Sequence, residues 1–335
     1  MYRKPLFFLL LLIALLALAG AAPAESAAPV PSPEPPAPAR VHTTPVPTPE
    51  PPAVVNKNKE SDTLNSIRFH LDAKYLHIWF PNIANCDEAI ISYDGEVWMI
   101  DCGDGRGASR GVKLMQKLGI TEIERLFITH PHHDHIGGLE ITDTAVPVDE
   151  LLICYPEDIN ENMVNAMYYA GTMEIPVYSY ADGDTFSMGD GQVTLKFYFN
   201  DQSDETLDMN NNSAQTMLRF GSRTMLFTSD MERAGQVAIM QHVDPADLKA
   251  DVLKYPHHGK SGPFEDWFQA INPSLVIITN AYVADWGGLQ YLSFRKIPYL
   301  LTNADDVYTH LWTEGNVWMV EQIPVDQLDP TTLLP

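Results

Sequence analysis

The chain has 335 residues and is strongly acidic, because 21 lysines and arginines face 44 aspartates and glutamates, which gives a formal net charge of −23. An acidic surface repels polyanions, so we expect no tight, nonspecific binding of nucleic acid. The three cysteines are too few for a disulfide scaffold.

Residues 1–24 have the three-part pattern of a secretory signal peptide. A short basic start, Met1–Lys4, precedes an uncharged run, Leu6–Ala22, and small residues suited to cleavage follow. The alternative is an uncleaved membrane anchor, for which the apolar run is short. We therefore expect a secreted or cell-surface protein.

Residues 25–64 are rich in proline, alanine, serine and threonine, which predicts a disordered, extended linker. This linker is either a tether that holds the remainder away from a membrane or cell wall, or a leader without such a role. Residues 65–325 suit one α/β domain with a sizeable core.

The first predicted elements are strands. Ile67–Asp72 and Tyr75–Phe80 are rich in aromatic and β-branched residues, and Asp94-Gly95 is a hairpin turn signal. Closing the hairpin at this turn places Asp87 opposite Cys102, so that Cys86 lies one residue away. A disulfide between Cys86 and Cys102 is therefore a hypothesis, and buried free thiols are the default.

Strands and helices alternate after the hairpin. Helices are predicted at Gly111–Gly119, within Asn160–Tyr169, at Glu232–Gln241 and at Phe264–Ala270. Strands are predicted at Val97–Ile100, Arg125–Thr129, Leu151–Cys154, Val177–Tyr180, Val193–Phe199, Thr216–Phe220, Thr224–Phe227, Val252–Tyr255 and Ser274–Ile278. Mixed elements of this kind predict two sheets covered by helices.

The most informative motif follows the predicted strand Arg125–Thr129. His130, His132, Asp134 and His135 form the spacing His-x-His-x-Asp-His. This density of imidazole and carboxylate groups predicts a transition-metal site with two ions, zinc by preference. We expect His130 and His132 to bind one ion and Asp134 and His135 the other. The alternative is a histidine-rich surface loop.

Two later strand ends supply further candidates. Asp230 follows the strand Thr224–Phe227 and is predicted to bridge both ions, the alternative being a helix N-cap. After the strand Val252–Tyr255, His257 is predicted to complete the second ion's ligands, and His258 to contact substrate or support a ligand. Asp101 also follows a strand and is predicted to orient a ligand.

Lys260 and Ser261, which follow Gly259, are candidates for contact with a phosphate oxygen, or else they form a solvated loop.

These motifs, in this order, resemble the metallo-β-lactamase superfamily. Within it, the chain is most similar to the hydrolase domain of ComEC-type competence proteins, through the stretches Asn210–Phe220, Leu226–Glu232 and Asp251–Ser261. The resemblance implies a four-layer αβ/βα sandwich with two metal ions at one edge. The chain departs from most of the superfamily because no histidine occurs from Ile136 to Gln241, which would leave His130, His132, Asp230 and solvent around the first ion.

We therefore predict an exported hydrolase with two divalent metal ions, Zn²⁺ by preference and Mn²⁺ as the alternative. Metal-bound hydroxide would attack phosphorus in a small-molecule or nucleotide-like phosphoester, and Asp134 could pass a proton to the leaving group. Phosphodiester chemistry is favoured by the ComEC-like stretches alone. An acyl-ester or lactam hydrolase with the same site, and a non-catalytic surface binding module, are the alternatives.

Overall fold

Two stretches, residues 74–304 and 306–328, are described by the computed structural model of the chain. The predicted signal peptide (1–24), the linker (25–64) and the strand at Ile67–Asp72 lie outside these residues. Among the described helices, none has the length and apolar character needed to cross a membrane.

The first sheet has eight strands in the order β15-β14-β1-β2-β3-β4-β5-β6. Its strands up to β3 pair antiparallel, and those from β3 to β6 pair parallel. The bounds are β1 Leu76–Phe80, β2 Glu88–Tyr93, β3 Glu96–Cys102, β4 Arg125–Ile128, β5 Leu151–Ile153, β6 Val177–Ser179, β14 Val307–Thr313 and β15 Met319–Pro324.

The second sheet has seven strands in the order β13-β12-β11-β10-β9-β8-β7. Strands β10 to β13 run parallel, whereas β7 to β10 pair antiparallel. The bounds are β7 Thr185–Met188, β8 Val193–Tyr198, β9 Gln215–Phe220, β10 Arg223–Phe227, β11 Val252–Lys254, β12 Leu275–Ile278 and β13 Tyr299–Leu301.

Helices cover the outer face of each sheet. They are α1 Gly105–Leu118, α2 His133–Ile136, α3 Leu139–Ala145, α4 Glu161–Met173, α5 Arg233–Ile239, α6 Glu265–Ile271 and α7 Gly287–Arg295. One apolar cluster lies between the two sheets. A second lies between the first sheet and its helices, and a third lies between the second sheet and its helices. The predicted four-layer αβ/βα sandwich, the metallo-β-lactamase fold, is confirmed.

Helix α1 begins six residues earlier than the sequence predicted. The Asp104 side chain accepts hydrogen bonds from the backbone N–H groups of Arg106 and Gly107, at 2.9 and 2.7 Å, and so caps the first turn. The predicted stop is correct, since Gly119 ends the helix with φ 73°.

The hairpin between β2 and β3 closes at the predicted turn but contains a β-bulge. Glu88, not Asp87, pairs with Cys102, because the register shifts between Glu88 and Ala89. Cys86 and Cys102 are both buried free thiols. The disulfide hypothesis is therefore wrong, and the default of free thiols is confirmed.

Four parallel strands determine where the polar motifs meet. Strands β3 and β4 are neighbours in one sheet, and β10 and β11 are neighbours in the other. Each of these strands is followed by, or ends in, one of the predicted site motifs. Because parallel strands end at the same edge of a sheet, the fold gathers these motifs at one edge of the sandwich.

Candidate metal centre

The loop after β4, the turn of α2 and the loops after β10 and β11 bring four ligand groups together. One oxygen or nitrogen atom from each of Asp134, His135, Asp230 and His258 lies within 4.8 Å of the others. Two carboxylates and two imidazoles at this spacing are a donor set that divalent transition metals accept. The group draws on three separated parts of the sequence.

His130 and His132 form the adjoining part of the cluster. His130 Nε2 lies 3.0 Å from His132 Nδ1, so the two rings point at a common position. The other nitrogen of His130, Nδ1, is 3.2 Å from the Ser229 hydroxyl. Because Nδ1 is occupied in this way, Nε2 is the atom that faces the site. Burial also lowers the pKa of His130 well below its ordinary value, which keeps the ring neutral and able to bind a cation.

Asp230 lies at the centre of the cluster. Its Oδ2 atom is 3.3 Å from His135 Nε2 and 3.6 Å from the Nε2 atoms of both His257 and His258. Its Oδ1 atom is buried and accepts no hydrogen bond from the described residues. A buried carboxylate oxygen without a donor is costly unless a cation satisfies it. The residues therefore fit a metal ion at this position.

The pKa values of Asp230 and His135 are shifted by the charged groups packed around them. Burial would raise the pKa of Asp230, but His258 and His135 outweigh it and hold the pKa well below its usual range. For His135, burial would lower the pKa, but the carboxylates of Asp230 and Asp101 raise it well above its ordinary value. Divalent cations would replace the protons in this arrangement.

The structure favours His258 over His257 as the histidine that completes the second group. His258 is fully buried, and its Nε2 atom lies 3.3 Å from Asp134 Oδ2. His257 is more exposed and is held between Glu232, 2.7 Å from Nδ1, and Lys260, 2.9 Å from Nε2. The sequence prediction preferred His257, and a reversal of direction in the backbone is what brings the next ring inward.

That reversal is strained. His257 and His258 have φ angles of 47° and 54°, and Ser229 and Asp101 have φ angles of 45° and 57°. The left-handed region is unfavourable for side chains of this kind, at a cost of about 1–3 kcal/mol per residue, and such residues concentrate at functional sites. Of the eleven described non-glycine residues with positive φ, two belong to the candidate ligand loop, and Ser229 and Asp101 contact or precede candidate ligands.

Two of the buried ligand-type histidines, His135 and His258, have a carboxylate at Nδ1, the ring nitrogen that faces away from the centre. Asp101 Oδ2 accepts from His135 Nδ1 at 2.7 Å, and Asp87 Oδ1 lies 3.2 Å from His258 Nδ1. A carboxylate at Nδ1 fixes the ring's orientation and leaves Nε2 for a metal. The sequence predicted this kind of role for Asp101, and it missed Asp87.

Asp87 also pairs with a buried lysine. Lys254 Nζ donates to Asp87 Oδ2 and to the backbone oxygen of Ser229, the residue before Asp230. Burial would raise the pKa of Asp87, but Lys254 and His258 hold it well below its usual range. The sequence carries a signal for this pair, because a lysine, Lys254, ends the otherwise apolar strand β11, which is buried along its whole length.

The segment that takes the place of the missing histidine lies against the same site. Ser213 Oγ accepts from the Asp230 backbone N–H at 3.3 Å, and the Ala214 N–H donates to the Thr129 carbonyl oxygen at 3.1 Å. The segment thus supports the backbone around Asp230 and His130.

Among the predicted site residues, the structure brings together His130, His132, Asp134, His135, Asp230 and both candidates of the His257-His258 pair. Asp134 is the most exposed carboxylate of the group, with 30% of its side chain accessible, whereas Asp230 is 1% accessible. Of these two, Asp134 is the better placed to meet a substrate. The catalytic and ligand roles of these residues stay predictions.

Comparisons with known proteins add the following similarities. A family model described as "Anti-Pycsar protein Apyc1" matches residues 83–243. ComE operon protein 3 of Bacillus subtilis (strain 168) is 30% identical over 172 residues, which is 50% of this chain and 21% of that protein. Ribonuclease Z of Thermosynechococcus vestitus (strain NIES-2133 / IAM M-273 / BP-1) is 29% identical over 109 residues, which is 30% of this chain and 26% of that protein. The matches thus span a fifth to about a quarter of these relatives.

Among solved structures, the metallo-β-lactamase fold protein YhfI from Bacillus subtilis is 13% identical, with a TM-score of 0.42 over 68% of this chain and 95% of that chain. The sandwich architecture and the match to ComE operon protein 3 confirm the predicted resemblance to the metallo-β-lactamase superfamily and its ComEC-type domains. The same findings support the predicted class, the metal-dependent hydrolases of this fold.

Proposed function

We propose that the protein is a metal-dependent hydrolase that cleaves phosphodiester or phosphoester bonds in a small or nucleotide-like substrate. The observation that carries the proposal is the convergence of Asp134, His135, Asp230 and His258 within 4.8 Å, with His130 and His132 beside them. The similarity to a ribonuclease Z favours phosphorus over carbon as the point of attack.

The six ligand-type residues divide naturally between two ions. His130 and His132 would hold one ion, Asp134, His135 and His258 would hold the other, and Asp230 would contribute to both. Bound divalent cations would supply Lewis acidity and a nucleophile at neutral pH. Zinc is preferred because imidazole and carboxylate donors suit it, and manganese is the alternative.

The chain's own groups have separable tasks. Asp101 and Asp87 hold the rings of His135 and His258 at Nδ1, which aims their Nε2 atoms into the centre. Asp134 reaches the open side of the cluster, where its carboxylate would take the proton that the attacking water loses and pass it to the leaving oxygen.

The test is hydrolysis of bis-p-nitrophenyl phosphate by protein loaded with zinc or manganese, with Asp230→Asn as the inactive control. We expect turnover by the wild type and a loss of about 10²-fold or more in the variant, because the substitution removes the charge at the centre of both metal positions. Absence of phosphodiester turnover together with cleavage of nitrocefin or an acyl ester would replace this proposal with the acyl or lactam alternative.

A second measurement separates the enzyme from the binding-module alternative. We expect elemental analysis of purified protein to give about two ions per chain. Less than one ion per chain would favour a non-catalytic surface module.

We also propose export of the chain, from the pattern of residues 1–24 alone. N-terminal sequencing of protein recovered from the producing cells tests this, and an intact leader on all of the protein would contradict cleavage.

A further inference from the structure

Lys260 lies next to the candidate metal centre. Its Nζ atom is 2.9 Å from His257 Nε2, and His257 Nε2 is in turn 3.6 Å from the central Asp230 Oδ2. A single imidazole therefore separates this ammonium group from the carboxylate at the middle of the site.

The backbone of Lys260 is fixed from two sides. Its N–H donates to the His257 carbonyl oxygen at 3.0 Å, and its own carbonyl oxygen accepts from the Gly287 N–H at the start of α7, at 2.9 Å. Its ammonium group also lies 6.0 Å from the centre of the Trp286 ring, within cation–π range. The Lys260 backbone is therefore held in place, and only the flexible side chain has to move to reach a ligand.

The Lys260 ammonium group has no direct carboxylate partner in the part of the chain that the structure describes. Within residues 74–304 and 306–328, no carboxylate oxygen comes within 4 Å of its Nζ atom, whereas Lys254 is paired with Asp87. Glu232 is close by but is occupied, since it accepts from His257 Nδ1 at 2.7 Å and from the Ser261 hydroxyl at 3.0 Å. No carboxylate of the described residues therefore binds the Lys260 ammonium group directly, so an incoming anion would not have to displace one.

The contact with Lys260 determines which nitrogen of the His257 ring donates a hydrogen bond and which accepts one. An ammonium group can only donate, so His257 Nε2 accepts from Lys260 and His257 Nδ1 donates to Glu232. This arrangement accounts for His257 without a metal and agrees with His258 as the ligand. Within the described residues, the other donor hydrogens of Lys260 have no hydrogen-bond acceptor, so they can meet an anion.

We propose that Lys260 forms an anion subsite that binds a non-bridging oxygen of the substrate's phosphoryl group beside the metal centre. The inference rests on the proposed function and deepens it, because it names the group that recognises the phosphoryl charge. A lysine ammonium is a compact cation suited to phosphate oxygens. Metal ions and Lys260 would then hold different oxygens of the same group.

The test is calorimetric titration of metal-loaded protein with inorganic phosphate, for the wild type, Lys260→Gln, Lys260→Arg and the matched control Lys249→Gln. Lys249 is an exposed lysine at the end of the turn that precedes β11. Elemental analysis of each sample first establishes equal metal content, so that any change in affinity belongs to the side chain.

We expect Lys260→Gln to weaken phosphate binding about tenfold, in the range of a charge-assisted hydrogen bond. Lys260→Arg should stay within about threefold of the wild type, because the positive charge is kept. Lys249→Gln should match the wild type.

Two outcomes overturn the subsite: a wild type that does not bind phosphate, or a Lys260→Gln variant whose affinity equals that of Lys249→Gln. Failure of the subsite and failure of the proposed function are distinguishable. Phosphate binding that depends on Lys260 in a protein that does not cleave phosphodiesters supports the subsite and contradicts the activity. Turnover of the phosphodiester together with a phosphate affinity that does not depend on Lys260 supports the activity and contradicts the subsite.

Discussion

The substitution Lys254→Met tests the buried ion pair behind the metal centre. Only 3% of the Lys254 side chain and 7% of the Asp87 side chain are accessible, so solvent cannot replace either partner. Methionine keeps most of the aliphatic stem and its packing while removing the ammonium group. Asp87 would retain the Thr279 hydroxyl at 2.5 Å and the Nδ1 atoms of His258 at 3.2 Å and His135 at 4.0 Å, but it would lose Lys254, the charge that stabilises its carboxylate most.

Removal of one partner from a buried pair costs about 3–5 kcal/mol, because it leaves the other charge uncompensated. We expect the free energy of unfolding to fall by that amount in urea titrations of Lys254→Met. The exposed control Lys249→Met should change it by less than about 0.5 kcal/mol.

A double variant separates the charge effect from packing. Lys254→Met combined with Asp87→Asn removes both charges, so it should be more stable than Lys254→Met alone. Two results would refute the claim that Lys254 neutralises a buried Asp87 charge. One is a loss of stability below about 1 kcal/mol in the single variant, and the other is a double variant no more stable than the single one. The single variant should also bind metal less tightly, because Lys254 holds both Asp87 and the Ser229 carbonyl oxygen.

Three further predictions follow from the site and its surroundings. His258→Ala should lose about one metal ion per chain by elemental analysis, whereas His257→Ala should keep both, and the opposite pattern would return the ligand role to His257. Metal binding should weaken as pH falls, because the pKa of His135 is raised and its proton must leave before a metal binds; a fluorescent-chelator competition at several pH values measures this. Glu88 is buried with neither carboxyl oxygen hydrogen-bonded within the described residues, and burial raises its pKa well above 4.5. The folded chain therefore binds more protons than the unfolded chain as pH rises from about 4.5, so stability should fall with rising pH, by at most about 1.4 kcal/mol per pH unit. The Glu88→Gln variant should lose this part of the slope in urea titrations, and identical slopes would contradict it.

What the sequence predicted well is what short stretches of chain determine. The spacing of His130, His132, Asp134 and His135 is local, and an apolar strand before it fixes where these side chains emerge. The general architecture could be predicted for the same reason, because the apolar periodicity of each strand or helix lies within that single element. Helix α7 and strand β13 were missed, because neither shows a distinct pattern: the helix carries Gly287 and Gly288 at its start.

What escaped prediction depends on pairing between distant residues or on a single backbone angle. Lys254 and Asp87 are separated by 167 positions, and only the facing of two sheets brings them together. The choice between His257 and His258 turns on two consecutive residues with positive φ, a conformation that is uncommon outside glycine and that the sequence does not signal here. The observed backbone directs His257 to Glu232 and Lys260 and buries His258 against Asp134. The same backbone reversal therefore separates His258, a candidate ligand, from Lys260, a candidate substrate contact.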